Sequence, residues 1–261
     1  MEDSQSYNFI VDSSIKSYLV KFQSLEYLDN NMNDGDVIVV SEYIYNLKFD
    51  KDVDNEFLYV VKDLESTKEY SFANKLIEHL VSIGFRRNNK LIAIGGGVVQ
   101  DLTGFVASML YRGVDWVFYP TTLLSQGDSC IGSKTSINVG NYKNVVGNFY
   151  PPSKVIIDTN LLNSLPSSQI KSGIGEMSHY FFIDGRLSFE YFKNNFKNPD
   201  YKDMIYKSLM IKKKMIEIDE FDQNERKVFN YGHTFGHAIE SITDYSIVVN
   251  SYLRYAKFTS A

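Results

Sequence analysis

Short apolar runs and amphipathic stretches alternate along the first part of the chain. Residues 36–41 (DVIVVS), 57–62 (FLYVVK), 91–94 (LIAI), 116–119 (WVFY) and 154–158 (KVIID) are each about one strand long and rich in β-branched or aromatic side chains. Runs of this kind, bounded by polar or glycine-rich turns, predict strands buried on both faces. Between the second and third, residues 66–84 carry Phe72, Leu76, Leu80 and Ile83 at helical spacing. Strand–helix–strand alternation implies an open parallel sheet with helices on both sides, its ligands beyond the carboxyl ends of the strands.

After Asp158 the period changes. From Leu161 to Asp244 the apolar runs are short and recur with a helical period, predicting helices over 167–183, 186–195, 200–218 and 226–242. Ser167 and Ser168, after Pro166, are the expected N-cap of the first. The expectation is an α/β fold: a Rossmann-like parallel-sheet domain over 1–162, then an α-helical domain over 163–261. No internal repeat, low-complexity tract or long linker interrupts it.

Composition narrows the class. With 261 residues, 44% of them apolar and 23% charged, the chain has the make-up of a globular protein and not of a disordered one. A net charge of −5 argues against general nucleic-acid binding, while leaving room for a local basic pocket. The single cysteine, Cys130, cannot form an internal disulfide, which points to a reducing cytoplasm. The opening MEDSQSYNFIVD has neither the basic nor the apolar region of a signal peptide, and no apolar run approaches the ~18 residues of a membrane helix. A cytoplasmic enzyme without membrane contact is expected.

Three constellations carry chemistry. Gly95, Gly96 and Gly97 follow the strand LIAI and open a helix. Glycines there let the backbone approach a phosphate, and the helix N-terminus supplies unpaired N–H donors. Asp101 sits one turn inside, within reach of a cofactor hydroxyl. The spacing is not G-x-G-x-x-G, and a plain tight turn is the competing explanation.

The second constellation is residues 119–149, YPTTLLSQGDSCIGSKTSINVGNYKNVVGNF. Thr121 and Thr122 end a strand. Asp128, Lys134, Lys143 and Asn144 then fall in what reads as a long, glycine-dotted loop, a form that is either disordered or functional. Each lysine alone would pass for a surface charge; together they suit a phosphorylated substrate.

The third joins Glu176, in GIGEMSHYFF, to His233 and His237, in NYGHTFGHAIE. Histidines four apart share a helix face, an arrangement for binding metal or moving a proton. Arg226, Asn230 and His233 extend that stripe, which suits a cleft wall better than a core. His79, in KLIEHL, reads as a half-exposed helix residue without a role.

These residues resemble the 3-dehydroquinate synthase family of sugar-phosphate cyclases. From about Glu65 to Ile247 the motifs GGGVVQDLTGFVAS, YRGV, PTTLLSQGDSCIGSKTSIN, KNVVGNFYPP, IDTNLLNSLP, SGIGEM and NYGHTFGHAIE occur in the family's order. The resemblance implies a nucleotide-binding α/β half, a helical metal- and substrate-binding half, and a site in the cleft between them. It implies NAD at the turn Gly95, Gly96 and Gly97, with Asp101, Thr121 and Thr122 near it. Glu65 and Lys68 match the family's acidic-x-x-lysine element at the cofactor, and Glu42 would hold a ribose. Asp128, Lys134, Lys143, Asn144, Lys212, Arg226 and Asn230 match substrate-pocket positions. Arg112 matches an arginine reaching the phosphate from the neighbouring subunit, hence a homodimer. Glu176 and His233 match two of three ligands of a divalent metal, zinc or cobalt, and His237 the pocket histidine beside them.

The family's chemistry accounts for that inventory. Hydride passes from a substrate hydroxyl to NAD, the resulting ketone acidifies the neighbouring C–H, phosphate leaves, hydride returns, and an intramolecular aldol step closes the carbocycle. The resemblance implies a phosphorylated sugar acid or sugar phosphate as substrate, such as a heptulosonate 7-phosphate.

Three departures qualify the match. Gln100 stands where the family has glycine, and His179 where it has a substrate-contacting lysine. After TDYSI the family continues with Pro-His-Gly and about a hundred helical residues; here VVNSYLRYAKFTSA follows, placing Val249 at the third ligand. The chain thus reads as C-terminally truncated relative to the family. His179, one turn from Glu176, is a candidate replacement ligand. Three competing readings follow: a relative closing another sugar phosphate, a metal-dependent alcohol or glycerol dehydrogenase, and an inactive nucleotide-binding fragment.

Overall fold

The computed structural model describes residues 7–28, 32–50 and 55–230. They form two compact units. One takes in the described residues up to Thr121 and then Cys130–Asn160; the other takes Thr122–Ser129 and the described residues from Leu161 to Asn230. The second unit therefore borrows eight residues from the middle of the first, whereas the sequence pattern places a single boundary at 162/163.

The first unit is built on a seven-stranded sheet. Its strands are β1 (Phe9–Val11), β2 (Tyr18–Phe22), β3 (Val37–Ser41), β4 (Leu58–Val61), β5 (Lys90–Gly95), β6 (Asp115–Pro120) and β9 (Lys154–Ile157), in the order β1-β2-β9-β6-β5-β3-β4. Only the edge pair β1–β2 is antiparallel. β3 is buried at every position, and β5 and β6 at all but their first, as continuous Val/Ile runs require in a parallel sheet covered on both faces. Val37, Val39, Leu91, Ala93, Ile94 and Phe118 are wholly inaccessible and form its core.

Among the described residues, three α-helices belong to this unit: α1 (Glu42–Lys48), α2 (Tyr70–Ser82) and α3 (Gly97–Met109). The predicted helix over 66–84 resolves into a 3₁₀ turn, Glu65–Lys68, and α2, which buries Ala73, Leu76 and Leu80. Two further strands, β7 (Lys134–Val139) and β8 (Tyr142–Phe149), pair as an antiparallel hairpin. This corrects the reading of the stretch after Thr122, with Lys134, Lys143 and Asn144 in it, as one long loop. β8 exposes seven of its eight residues, so no alternation marks it in the sequence.

The second unit holds a short π-helical turn, Ser125–Ser129, with α4 (Ser167–Ile183), α5 (Arg186–Asn195), α6 (Tyr201–Ile218) and a 3₁₀ turn, Glu225–Asn230. The expected serine cap of α4 is corrected. Pro166 occupies the cap position, and its carbonyl accepts from the N–H groups of Gln169 and Ile170, at 3.0 and 3.2 Å. Of the helix expected over 226–242, residues 226–230 are 3₁₀ and the remainder lies outside the described residues. Among the described residues, no helix is long and apolar enough to cross a membrane.

Candidate functional site

In the first unit the sequence-predicted residues converge on Lys68. The turn Glu65–Lys68 follows β4 and buries the lysine, whose side chain is 8% exposed. Its ammonium lies 2.7 Å from Asp101 Oδ2 on α3 and donates to Asn144 Oδ1 on β8 at 2.8 Å. Glu65 Oε1 lies 3.8 Å from both Lys68 Nζ and Lys143 Nζ. Burial pushes the Asp101 carboxyl above its ordinary value, and the Lys68 ammonium pulls it back.

The glycine turn lies at the carboxyl end of β5. Gly96 caps α3 without a side-chain hydrogen bond, no acidic residue occupies the first turn, and a Cβ at Gly97 would meet nothing within 4 Å. Bare N–H donors beside open space at a strand end fit a phosphate of a dinucleotide. Buried Thr121 donates its N–H to Gly95 O at 3.0 Å, extending the β5–β6 pairing to the turn. Lys134 is exposed at the start of β7.

Glu42 and Arg112 stay exposed, and neither shares a hydrogen bond or ion pair with the Lys68 group among the described residues. Glu42 opens α1 beside Asp63, whose carboxyl is raised chiefly by burial. Arg112 sits at φ 65° between Tyr111 at 51° and Gly113 at 114°. The Tyr111 hydroxyl pins this left-handed turn by donating to Phe85 O at 3.0 Å.

In the second unit the convergence is on Asp128, in the π-helical turn. Lys212 of α6, its side chain 8% exposed, places Nζ 2.6 Å from Asp128 Oδ1 and 2.7 Å from Asp128 O. The Tyr180 hydroxyl of α4 donates to the same Oδ1. Burial, then the charges of Asp128 and Glu176, raise the Tyr180 hydroxyl well above its ordinary value, so it remains a neutral donor. Ser208 adds a bond to Gly127 O at 2.9 Å, and the Phe229 ring meets Tyr180 edge-on at 4.7 Å. Thr122, unlike Thr121, folds into this unit and exchanges hydrogen bonds with Ser125, the two hydroxyls lying 2.9 Å apart.

Arg226 is buried, and its Nη1 donates to Glu220 O at 2.5 Å. Asp219 builds the turn that presents it, accepting N–H bonds from Gln223 at 2.9 Å, Asn224 at 2.7 Å and Arg226 at 3.1 Å. Those bonds, that of Gln223 foremost, hold its carboxyl below the ordinary 3.8. A carboxyl with a depressed folded-state value stabilises the fold above 3.8, and the contribution is lost as pH falls through the lower folded value. Asp219→Asn should therefore lose less stability than the parent on acidification. Thermal unfolding midpoints between about pH 2 and 5 measure this, and identical slopes below about pH 4 would refute it.

Glu176 is buried on α4, and His179, 1% exposed, packs 6.3 Å from the Phe229 ring. His233 and His237 lie outside the described residues, as does the side chain of Asn230. Among the described residues no three His, Cys, Asp or Glu side chains are grouped to hold a metal. Glu176 supplies one carboxylate, which alone does not make a metal site. His79 is half-buried, with Nε2 2.9 Å from Glu56 O. A groove of about 330 Å³ lined by Phe181, Tyr191, Tyr206 and Met210 contains none of the predicted residues.

Sequence reasoning missed Asn138, Tyr180 and Asp219. Tyr180 is a helix aromatic and Asp219 a helix-end acid, types that ordinarily read as packing and capping. Asn138 is turned inward by the register shift between Ile137 and Val139, which no periodicity signals.

Two family models match: 3-dehydroquinate synthase N-terminal over 58–172 and 3-dehydroquinate synthase C-terminal over 173–250. The chain is 43% identical to a 3-dehydroquinate synthase of Pelagibacter ubique over 192 residues, covering 71% of this chain and 52% of that protein. It is 37% identical to one of a Thermoanaerobacter species, covering 84% and 66%, and 35% identical to one of Clostridium perfringens, covering 94% and 72%. The chain thus spans about half to two thirds of the length of the first two. Among solved structures it matches 2-epi-5-epi-valiolone synthase from Streptomyces hygroscopicus, with NAD+ and Zn2+ bound, at a TM-score of 0.77 and 22% identity, covering 93% and 73%. It also matches 2-deoxy-scyllo-inosose synthase complexed with carbaglucose-6-phosphate, NAD+ and Co2+, at 0.75 and 23%, covering 94% and 72%. At those identities the likeness concerns the fold.

Proposed function

The chain belongs to the 3-dehydroquinate synthase family, and from that premise we propose that it is a cyclase converting a heptulosonate 7-phosphate to a carbocycle with loss of phosphate. The observation that carries the reading is the Lys212–Asp128 pair. A buried ammonium gives two of its three N–H donors to one aspartate, leaving the third for an anion. A neutral alcohol needs no such group, which weighs against a dehydrogenase.

In this reading the first turn of α3, opened by Gly95, Gly96 and Gly97, holds the pyrophosphate of NAD. Asp101, Lys68, Glu65 and Thr121 would contact it, with Thr122 nearby and Glu42 at a ribose. When bound, NAD supplies reversible hydride acceptance, and a divalent metal at Glu176 and His233, zinc or cobalt, acidifies the substrate hydroxyl. Lys134, Lys143, Asn144, Lys212, Arg226 and Asn230 hold the phosphate and carboxylate. Asp128 aims the Lys212 ammonium through its carboxylate and its carbonyl. His237 would serve as the pocket histidine of the family, and Arg112 would serve the phosphate of the second subunit of a homodimer.

Incubation with 3-deoxy-arabino-heptulosonate 7-phosphate, NAD+ and Zn2+ or Co2+ is expected to release inorganic phosphate with no net NADH. NADH accumulation from an alcohol would establish the dehydrogenase instead, and nucleotide binding without phosphate release the inactive fragment. His179 favours one further reading. A buried imidazole at the family's lysine position suits a cyclase for a different sugar phosphate, which release from another heptulose phosphate alone would identify.

A further inference from the structure

Resting on that reading, we propose that Asn138 is a positioning residue that clamps Glu65 and Asn144 around Lys68 in the arrangement the dinucleotide meets. Asn138 is 4% exposed, and its backbone bridges to Glu69, just past the 3₁₀ turn. Its Nδ2 donates to Glu65 Oε1 at 3.0 Å, and its Oδ1 accepts the Asn144 N–H at 3.0 Å. Asn144 sits in the left-handed region, at φ 54°, a conformation asparagine tolerates, and the bond from its N–H to Asn138 fixes it there. That conformation lets its side-chain Oδ1 accept from Lys68 at 2.8 Å and from Ser136 Oγ at 3.1 Å. One carboxamide therefore sets both the acid and the amide beside the lysine. An ionised aspartate at this position would accept from the peptide but could not donate to Glu65, and leucine would do neither.

The test is NAD+ affinity of the full chain against pH, in the parent, Asn138→Asp and Asn138→Leu. The charged groups facing the site are Glu65, Lys68, Asp101, Lys143 and Glu69. A second carboxylate beside Glu65 raises the pair's affinity for a shared proton, which restores a donor on the acid side. Asn138→Asp is expected to bind NAD+ about tenfold more weakly than the parent at about pH 8.5, and within about threefold of it at about pH 5.5. Asn138→Leu is expected to be weakened at both. A merely structural role would give the two variants the same flat deficit, and that result overturns the proposal. If the parent binds no NAD+, the cofactor reading fails. The clamp is then decided by a ¹³C NMR titration of the Glu65 carboxyl, expected to shift upward in Asn138→Asp; an unmoved titration overturns it.

Discussion

Lys212→Met is expected to lower the unfolding free energy by about 3 kcal/mol, the low end for removing one partner of a buried ion pair. Asp128 is left with a side chain only 17% exposed and without its cation. The low end applies because the Tyr180 hydroxyl still donates to the stranded carboxylate. Urea denaturation of the single variant and of Lys212→Met/Asp128→Asn measures the effect. The double variant should recover part of the loss, since an amide keeps the shape without the buried charge. A single-variant loss below about 1 kcal/mol would mean that water reaches the pair and screens it. Under the proposed function, phosphate release by Lys212→Met should also fall about a hundredfold, the worth of one charged hydrogen bond to an anionic substrate.

Gly147→Ala should be comparably severe, for a steric reason. Gly147 on β8 faces Ser136 on β7, and an added Cβ would sit 2.1 Å from the Thr135 carbonyl oxygen and 2.9 Å from Ser136 Cα. Both contacts are backbone, so no side chain can swing aside and the hairpin must open. Overpacking of this kind costs about 3 kcal/mol. Opening also withdraws Asn144 from Lys68, so under the proposed function NAD+ binding should weaken with stability. Gly140→Ala, in the turn of the same hairpin, is the control. Its φ of 56° is strained for alanine, but nothing lies within 4 Å, so the expected cost is only about 1 kcal/mol. A Gly147 variant no worse than the Gly140 variant would show that the strands separate freely.

The sheet was legible because its central strands announce themselves. DVIVVS, LIAI and WVFY are continuous apolar runs, which only strands covered on both faces require. The helices of the second unit likewise show a clear period, and 186–195 is the residue range of α5. What escaped lies where burial is partial or topology decides. β1 is three residues long on an edge, too short for any period, and β8 turns almost every residue to solvent. The site is legible as residue types but not as geometry. Lys68, Asp101 and Asn144 are separated by 33 and 43 residues, and only the sheet order and the hairpin bring them together. Asn138 and Tyr180, which hold the named residues in place, carry no spacing that distinguishes them from ordinary packing.

The eight residues Thr122–Ser129, lent by the middle of the chain to the helical unit, bind the two units in the order of synthesis. Their carbonyls and carboxylate await Ser208 and Lys212, which the ribosome delivers some eighty residues later. A gene cut after Asn160 would yield a helical product whose lysine has no aspartate to meet. Exchange of the helical half as a module must therefore carry the borrowed segment along.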